Sequence, residues 1–99
     1  MPELKIILKN FLDEEERLIK FPAKRKMKLY SLFFLAQAFE ADREYTEKEV
    51  NALLNERHTF ADPATLRREL FDYRFLDRSR DGKSYCLSEP QPDFERLGL

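Results

Sequence analysis

The dipeptide Asp81-Gly82 restricts the fold of this sequence more than any other feature, because it lies between two short strand-like segments. Asp-Gly between alternating apolar and polar residues is the strongest short-range signal for a β-hairpin. Residues 75–80 alternate before it, and residues 84–87 follow as a return strand rich in apolar side chains. The sequence therefore predicts a two-stranded hairpin over about 75–87.

Two short helices are predicted directly before the hairpin. Thr46 and Glu49 have the spacing of a capping box, and apolar residues follow at helical spacing to about residue 58. Asp62 is a favourable N-cap and Pro63 suits the first helical position, so a second helix should run from 63 to about 72. Two short helices joined by a turn and followed by a hairpin are the order of a winged helix-turn-helix.

The N-terminal half supplies further helix. Residues 23–40 carry two apolar stripes, which indicates a central helix covered on two sides. A short apolar stripe predicts an N-terminal helix before it, and an extended arm leads to Pro22. It is formed by Leu4, Ile7, Leu8, Phe11 and Leu12. We therefore expect an α+β, mainly α, winged helix-turn-helix with an extra N-terminal helix. It forms one domain over 1–88, with helix and arm at 1–22, a core at 23–88 and a C-terminal tail at 89–99.

Composition argues against several functions. The formal net charge of −1 is unusual for a dedicated nucleic-acid domain. Cys86 is the only cysteine and His58 the only histidine, so neither a disulfide, a zinc site nor a nucleophile motif is expected. No apolar run approaches the ~20 residues of a membrane span, and no signal peptide is visible. We expect a cytoplasmic, non-enzymatic protein without cofactor or metal.

Several segments together resemble one bacterial family. They are Phe21-Pro22-Ala23-Lys24-Arg25-Lys26, Tyr45-Thr46-Glu47-Lys48-Glu49-Val50-Asn51, Leu66-Arg67-Arg68-Glu69-Leu70, Phe75-Leu76-Asp77-Arg78 and Asp81-Gly82-Lys83-Ser84-Tyr85. Over about 18–87 the sequence is similar to the DUF2087 family of small bacterial domains, many of them labelled transcriptional regulators. The resemblance implies a regulatory setting and supplies no catalytic residue or ligand. The sequence departs from the family at Arg74, where a small turn residue is usual, and at Cys86-Leu87.

The expected function is that of a DNA-binding transcriptional regulator. The second helix of a helix-turn-helix enters the major groove, where arginine can bind guanine through two hydrogen bonds. Arg68 and Thr65 are predicted to lie on its outward side. Phosphate contacts are expected from its flank, the hairpin and the start of the central helix, through Arg67, Arg78, Arg80, Lys83, Lys24, Arg25 and Lys26. The partner would be double-stranded DNA.

The alternative is a protein-interaction or dimerisation module on the same fold. Residues 62–83 include six basic and five acidic side chains, a net charge of only +1. A nearly neutral surface can make few net contacts with phosphates. Phe71 suits a protein interface better than a DNA groove, and Tyr30 and Phe34 lie on the second apolar stripe of the central helix. The partner would then be a second copy of the chain or another regulatory protein.

Overall fold

The computed structural model describes residues 3–99, so the first two residues of the predicted 1–22 segment lie outside it. The fold is α+β and mainly helical, with four α-helices and one three-stranded antiparallel sheet. The helices are α1 (Leu4–Ile7), α2 (Arg25–Ala36), α3 (Glu47–Asn55) and α4 (Pro63–Asp72). The strands are β1 (Tyr45–Thr46), β2 (Leu76–Arg78) and β3 (Ser84–Leu87).

Local signals place α3 and α4 as predicted. Thr46 accepts a hydrogen bond from the Glu49 backbone N–H at 3.1 Å, and the Glu49 carboxylate accepts one from the Thr46 N–H at 2.9 Å. The Asp62 side chain accepts from the Thr65 N–H at 3.2 Å, with Pro63 at the first helical position. The predicted start and end of α4 are confirmed, whereas α3 ends at Asn55, before the predicted residue 58.

The turn between α3 and α4 is held by one buried side chain. His58 is 4% exposed, and its Nδ1 lies 2.6 Å from the Leu54 carbonyl oxygen. The Asp62 backbone N–H donates to His58 Nε2 at 2.9 Å. Because Nε2 accepts, the proton of the neutral ring must lie on Nδ1, which then donates to Leu54. The imidazole therefore joins the last turn of α3 to the N-cap residue of α4.

The hairpin is confirmed, and a third strand joins it. β2 pairs with β3 in antiparallel register, with Asp77 opposite Cys86. β1 pairs with the free side of β3, so the strand order is β1-β3-β2. Gly82 has a φ of +72°, which the turn requires and glycine adopts without strain. β2 stops at Arg78 rather than residue 80, because Ser79 and the following residues form the turn.

The α4 helix ends in a Schellman motif, in which the last carbonyls accept from two residues beyond the helix. The Phe75 N–H donates to the Leu70 carbonyl at 2.8 Å and the Arg74 N–H to the Phe71 carbonyl at 3.0 Å. Arg74 has a φ of +66°, at the position that glycine normally occupies. For a residue with a Cβ that conformation costs about 1–2 kcal/mol. A cation at a helix C-terminus recovers only about 0.3–1 kcal/mol.

The N-terminal segment differs from its prediction. The expected helix over 4–12 is split into α1 and a single 3-10 turn at Lys9–Phe11. The chain becomes extended at Leu12, which bridges Leu18 in antiparallel fashion. Leu18 also bridges His58 and is fully buried. The backbone of Leu12 therefore pairs with Leu18 instead of continuing the helix. The apolar spacing of residues 4–12 does not indicate this pairing.

The core is formed by α2 and the elements packed around it. Leu29, Leu32 and Leu35 on α2 are fully buried, and each contributes about 1.5–3 kcal/mol of hydrophobic stabilisation. Phe33 meets the fully buried Phe75 edge-on, with ring centroids 4.8 Å apart. α2 ends at Ala36, short of the predicted residue 40, and turns at residues 37–39 follow it.

Residues 89–99 lie against this core. Phe94 lies 4.4 Å from Phe33 and 5.8 Å from Tyr30, measured between ring centroids. The Arg25 guanidinium donates to the Leu97 carbonyl at 3.0 Å. The tail is therefore docked along α2 by aromatic contacts and one hydrogen bond.

Candidate functional site

The groove between α4 and the hairpin brings together four of the predicted site residues, Arg67, Arg68, Phe71 and Arg78. It has a volume of about 390 Å³, and we call it the α4 groove. Its lining includes Glu47, Arg67, Arg68, Phe71, Asp72 and Arg78. Three arginines and two carboxylates thus share one surface, which carries both signs of charge.

Arg67 is used to hold the helices together. Its side chain is 17% exposed and lies 3.5 Å from the Glu47 carboxylate. It also donates a hydrogen bond to the side-chain oxygen of Asn51. Both partners are on α3, so Arg67 fixes the packing of α4 on α3 and is poorly placed to reach a phosphate. The role of Asn51 could not be predicted, because a contact across sixteen residues has no local signature in the sequence.

Arg68 and Thr65 lie on the outward side of α4, as expected. The Arg68 side chain is 84% exposed, and its Nε lies 3.8 Å from the Asp72 carboxylate one turn later. An exposed pair at this distance contributes at most about 0.5 kcal/mol, so Arg68 can leave it for another partner.

Arg78 covers the ring of Phe71. Its guanidinium carbon lies 4.5 Å from the ring centroid, which is close enough for a cation–π interaction. Phe71 is half-buried and Arg78 is exposed. The stacked pair links the last turn of α4 to β2, and the half-buried ring adds apolar surface to the α4 groove.

The hairpin tip carries two cations, Arg80 and Lys83. Both are exposed, and neither has a carboxylate within 4 Å among residues 3–99. Asp81 between them accepts from the Ser79 hydroxyl at 2.6 Å and from the Lys83 backbone N–H at 3.0 Å. These hydrogen bonds lower the pKa of Asp81, because they stabilise its carboxylate form. The carboxylate in turn holds the backbone of the hairpin turn in place.

A second basic group lies at the start of α2. Lys24, Arg25 and Lys26 are exposed, with Lys24 at the N-cap position, where cations oppose the helix dipole. One turn later the Lys28 ammonium lies 3.7 Å from Glu69 of α4. This contact places the start of α2 beside α4, on the flank opposite the one that carries Arg67 and Phe71.

Tyr30 and Phe34, which were predicted as interface residues, lie inside the chain. They are 7% and 6% exposed, and Tyr30 contacts Phe94 of the tail. Little of either side chain remains for a partner. The second apolar stripe of α2 was predicted to be covered, but the tail that covers part of it has no periodic pattern, so the sequence did not reveal the covering segment.

The environments of Cys86 and His58 restrict the chemistry of their side chains. Burial raises the pKa of the Cys86 thiol, and the carboxylates of Asp77, Glu44 and Glu89 raise it further, so the thiol stays protonated at neutral pH. Both ring nitrogens of His58 are occupied by backbone groups. Within residues 3–99 no cluster of three or more acidic, histidine or cysteine side chains is placed to hold a metal ion.

None of the helices formed by residues 3–99 is long and apolar enough to cross a membrane.

Comparison with known proteins identifies a family and gives no individual relative. The sequence model described as "Uncharacterized protein conserved in bacteria (DUF2087)" matches residues 17–87. The match covers the arm, α2, the α3–α4 pair and the whole sheet, and it leaves out α1 and the tail. No curated protein and no solved structure matches the chain.

Proposed function

Because the chain belongs to the DUF2087 family of uncharacterised bacterial proteins, we propose its role from its own geometry: a DNA-binding transcriptional regulator of the winged helix-turn-helix type. In this proposal α4 enters the major groove and the β2–β3 hairpin is the wing. The observation that carries the proposal is the outward face of α4, where Arg68 is 84% exposed between two groups of exposed cations.

The arrangement of elements supports the winged-helix interpretation. From α2 onward the order is helix, strand, helix, helix, strand, strand. The first strand of that series joins the hairpin to give the sheet order β1-β3-β2. α4 packs on α3 through Arg67 and is tied to its turn by His58, so its outward face is presented by a fixed scaffold.

The cations around α4 fit contacts with a duplex. Arg68 and Thr65 would meet base edges, because they lie on the side of α4 that faces away from the core. Arg80 and Lys83 would meet phosphates on one flank of the helix. Lys24, Arg25 and Lys26 would meet them on the other flank, since Lys28 holds the start of α2 beside Glu69.

A titration of labelled duplex DNA with the full chain at low and moderate salt tests this proposal. Arg68→Ala should weaken specific binding by about 1–3 kcal/mol. Arg80→Ala with Lys83→Ala should lower the slope of log affinity against log salt by about two, one for each lost phosphate contact. Lys9→Ala, which removes an exposed cation from the N-terminal 3-10 turn, is the control and should change neither quantity.

Failure to bind DNA at low salt would refute the proposal. Binding that is equally strong in wild type and in the triple variant lacking Arg68, Arg80 and Lys83 would refute it as well. Circular dichroism on each variant separates loss of contact from loss of fold, and all three side chains are exposed, so the fold should persist.

A second candidate function, protein–protein interaction, is favoured by the stacked Phe71–Arg78 pair. An aromatic ring beneath an arginine, in a groove of mixed charge, has the composition of an interface core. Light scattering over a range of concentrations would detect a dimer, and Phe71→Ala should weaken it. A monomer at every concentration, together with no partner retained by immobilised protein, would refute this alternative.

A further inference from the structure

A second cavity lies on another side of the molecule, between the end of α4, β2 and the tail. Its volume is about 420 Å³, within the roughly 300–1,000 Å³ of small-molecule sites, and we call it the tail cavity. Apolar surface comes from Tyr73, Pro90, Pro92 and Leu97. Charged groups come from Arg74, Asp77, Glu89 and Arg96.

The walls of the tail cavity are held in place by hydrogen bonds. The Gln91 side-chain amide donates to the carbonyls of Phe75 at 2.9 Å and Ser88 at 2.8 Å. The Ser88 backbone N–H donates to the Phe75 carbonyl at 3.0 Å. At the far end the Leu97 carbonyl accepts from Arg25 of α2. The tail is thus attached on both sides of the cavity, so the opening is defined by fixed backbone.

The four charged side chains of the cavity do not neutralise one another. Among residues 3–99, none of Arg74, Arg96, Asp77 and Glu89 lies within 4 Å of an oppositely charged group. Asp77 accepts only a hydrogen bond from the Ser88 hydroxyl, at 3.1 Å. The tail cavity therefore presents two guanidinium groups and two carboxylates whose charge is available to a ligand.

Arg74 is less favourable for folding than glycine would be at the same position. It occupies the left-handed position of the Schellman motif, where glycine is preferred, and it forms no ion pair with any of residues 3–99. Unfavourable backbone conformations of this kind concentrate at sites of function. Its side chain lines the tail cavity with Arg96. The cavity therefore gives a reason for an arginine at position 74 that the packing of the helix end does not.

We propose that the tail cavity binds a small zwitterionic molecule, a free amino acid with an apolar side chain. Its carboxylate would lie against Arg74 and Arg96, since guanidinium groups bind carboxylates through paired hydrogen bonds. Its ammonium group would lie against Asp77 and Glu89, and its side chain against Tyr73 and Leu97. A purely anionic or cationic ligand would leave one pair of like charges unmatched. This inference does not depend on DNA binding.

The test is a titration of the isotope-labelled full chain with L-leucine and L-phenylalanine, followed by proton–nitrogen correlation spectra. Saturable shifts should appear at the backbone amides of Arg74, Asp77, Glu89 and Arg96 at ligand concentrations up to about 10 mM, enough to saturate a millimolar site. Isocaproate lacks the amino group of leucine and isoamylamine lacks its carboxylate. Each should bind at least about tenfold more weakly than leucine, because each forfeits one charged contact.

Two variants separate binding from folding. Arg96→Gln should weaken leucine binding about tenfold or more, whereas Arg57→Gln, at an exposed site on the α3–α4 turn, should leave it unchanged. Arg74→Gly should also weaken binding while raising the melting temperature, a combination that a structural role for Arg74 does not produce. The proposal is overturned if neither amino acid gives saturable shifts, if isocaproate binds as tightly as leucine, or if both arginine variants bind normally.

Discussion

Replacing His58 by alanine should destabilise the protein far more than a single polar side chain usually does. The imidazole is 4% exposed and joins two backbone groups on either side of the α3–α4 turn. In His58→Ala the Asp62 N–H loses its acceptor, which costs about 1–3 kcal/mol. The Leu54 carbonyl keeps the Arg57 N–H at 2.9 Å, so losing the ring there costs only about 0.5–1.5 kcal/mol.

Aromatic packing adds to this loss. The ring of Phe60 stands edge-on to His58, with centroids 4.6 Å apart, and such a pair contributes about 0.5–1.5 kcal/mol. We expect a total loss of about 4 kcal/mol, a large share of the ~5–15 kcal/mol that stabilises a domain of this size. The melting temperature should fall by roughly 15–30 °C.

Urea unfolding monitored by circular dichroism measures the effect, provided that the m-value is the same in both proteins. Thr59→Ala, next to His58 and exposed, is the matched control and should change stability by less than about 0.5 kcal/mol. A loss in His58→Ala within about 1 kcal/mol of the control would refute the reasoning. Nitrogen chemical shifts of the imidazole give a second check, since a proton on Nε2 instead of Nδ1 would contradict the hydrogen-bond assignment.

Further predictions follow from the helix ends and the tail. Thr46→Ala removes the N-cap acceptor of α3 and should cost about 1 kcal/mol in urea unfolding. Hydrogen bonds from Thr65 lower the pKa of Asp62 below 3.8, so the stability that this carboxylate supplies is full above that value and is lost as the pH falls through the lowered pKa. Asp62→Asn should therefore flatten the acid limb of the stability–pH profile. Arg74→Gly should raise the free energy of unfolding by up to about 1 kcal/mol, and a decrease would contradict the account of its strained φ. Phe94→Ala should cost about 1–3 kcal/mol and increase the exposure of Phe33, seen as faster amide exchange in α2.

The parts of the fold that could be predicted from the sequence depend on neighbours within about four residues. The capping box at Thr46, the Asp62-Pro63 start of α4 and the Asp81-Gly82 turn are each stabilised by contacts of this range. Their residue types are selected by local backbone geometry, so the pattern is visible in the chain itself. The outward direction of Arg68 follows in the same way from helical periodicity.

The remaining parts of the fold depend on contacts between segments that are farther apart in the chain. The tail covers Tyr30, and the bridge between Leu12 and Leu18 replaces the helix that was expected to continue to residue 12. β1 pairs with β3 across some forty residues of chain. These pairings bury surface that several alternative arrangements could also bury, so periodicity does not choose among them. The same holds for the α4 groove. The sequence supplied its arginines and the outward direction of Arg68, whereas only the packing of α4 on α3 engaged Arg67 with Glu47.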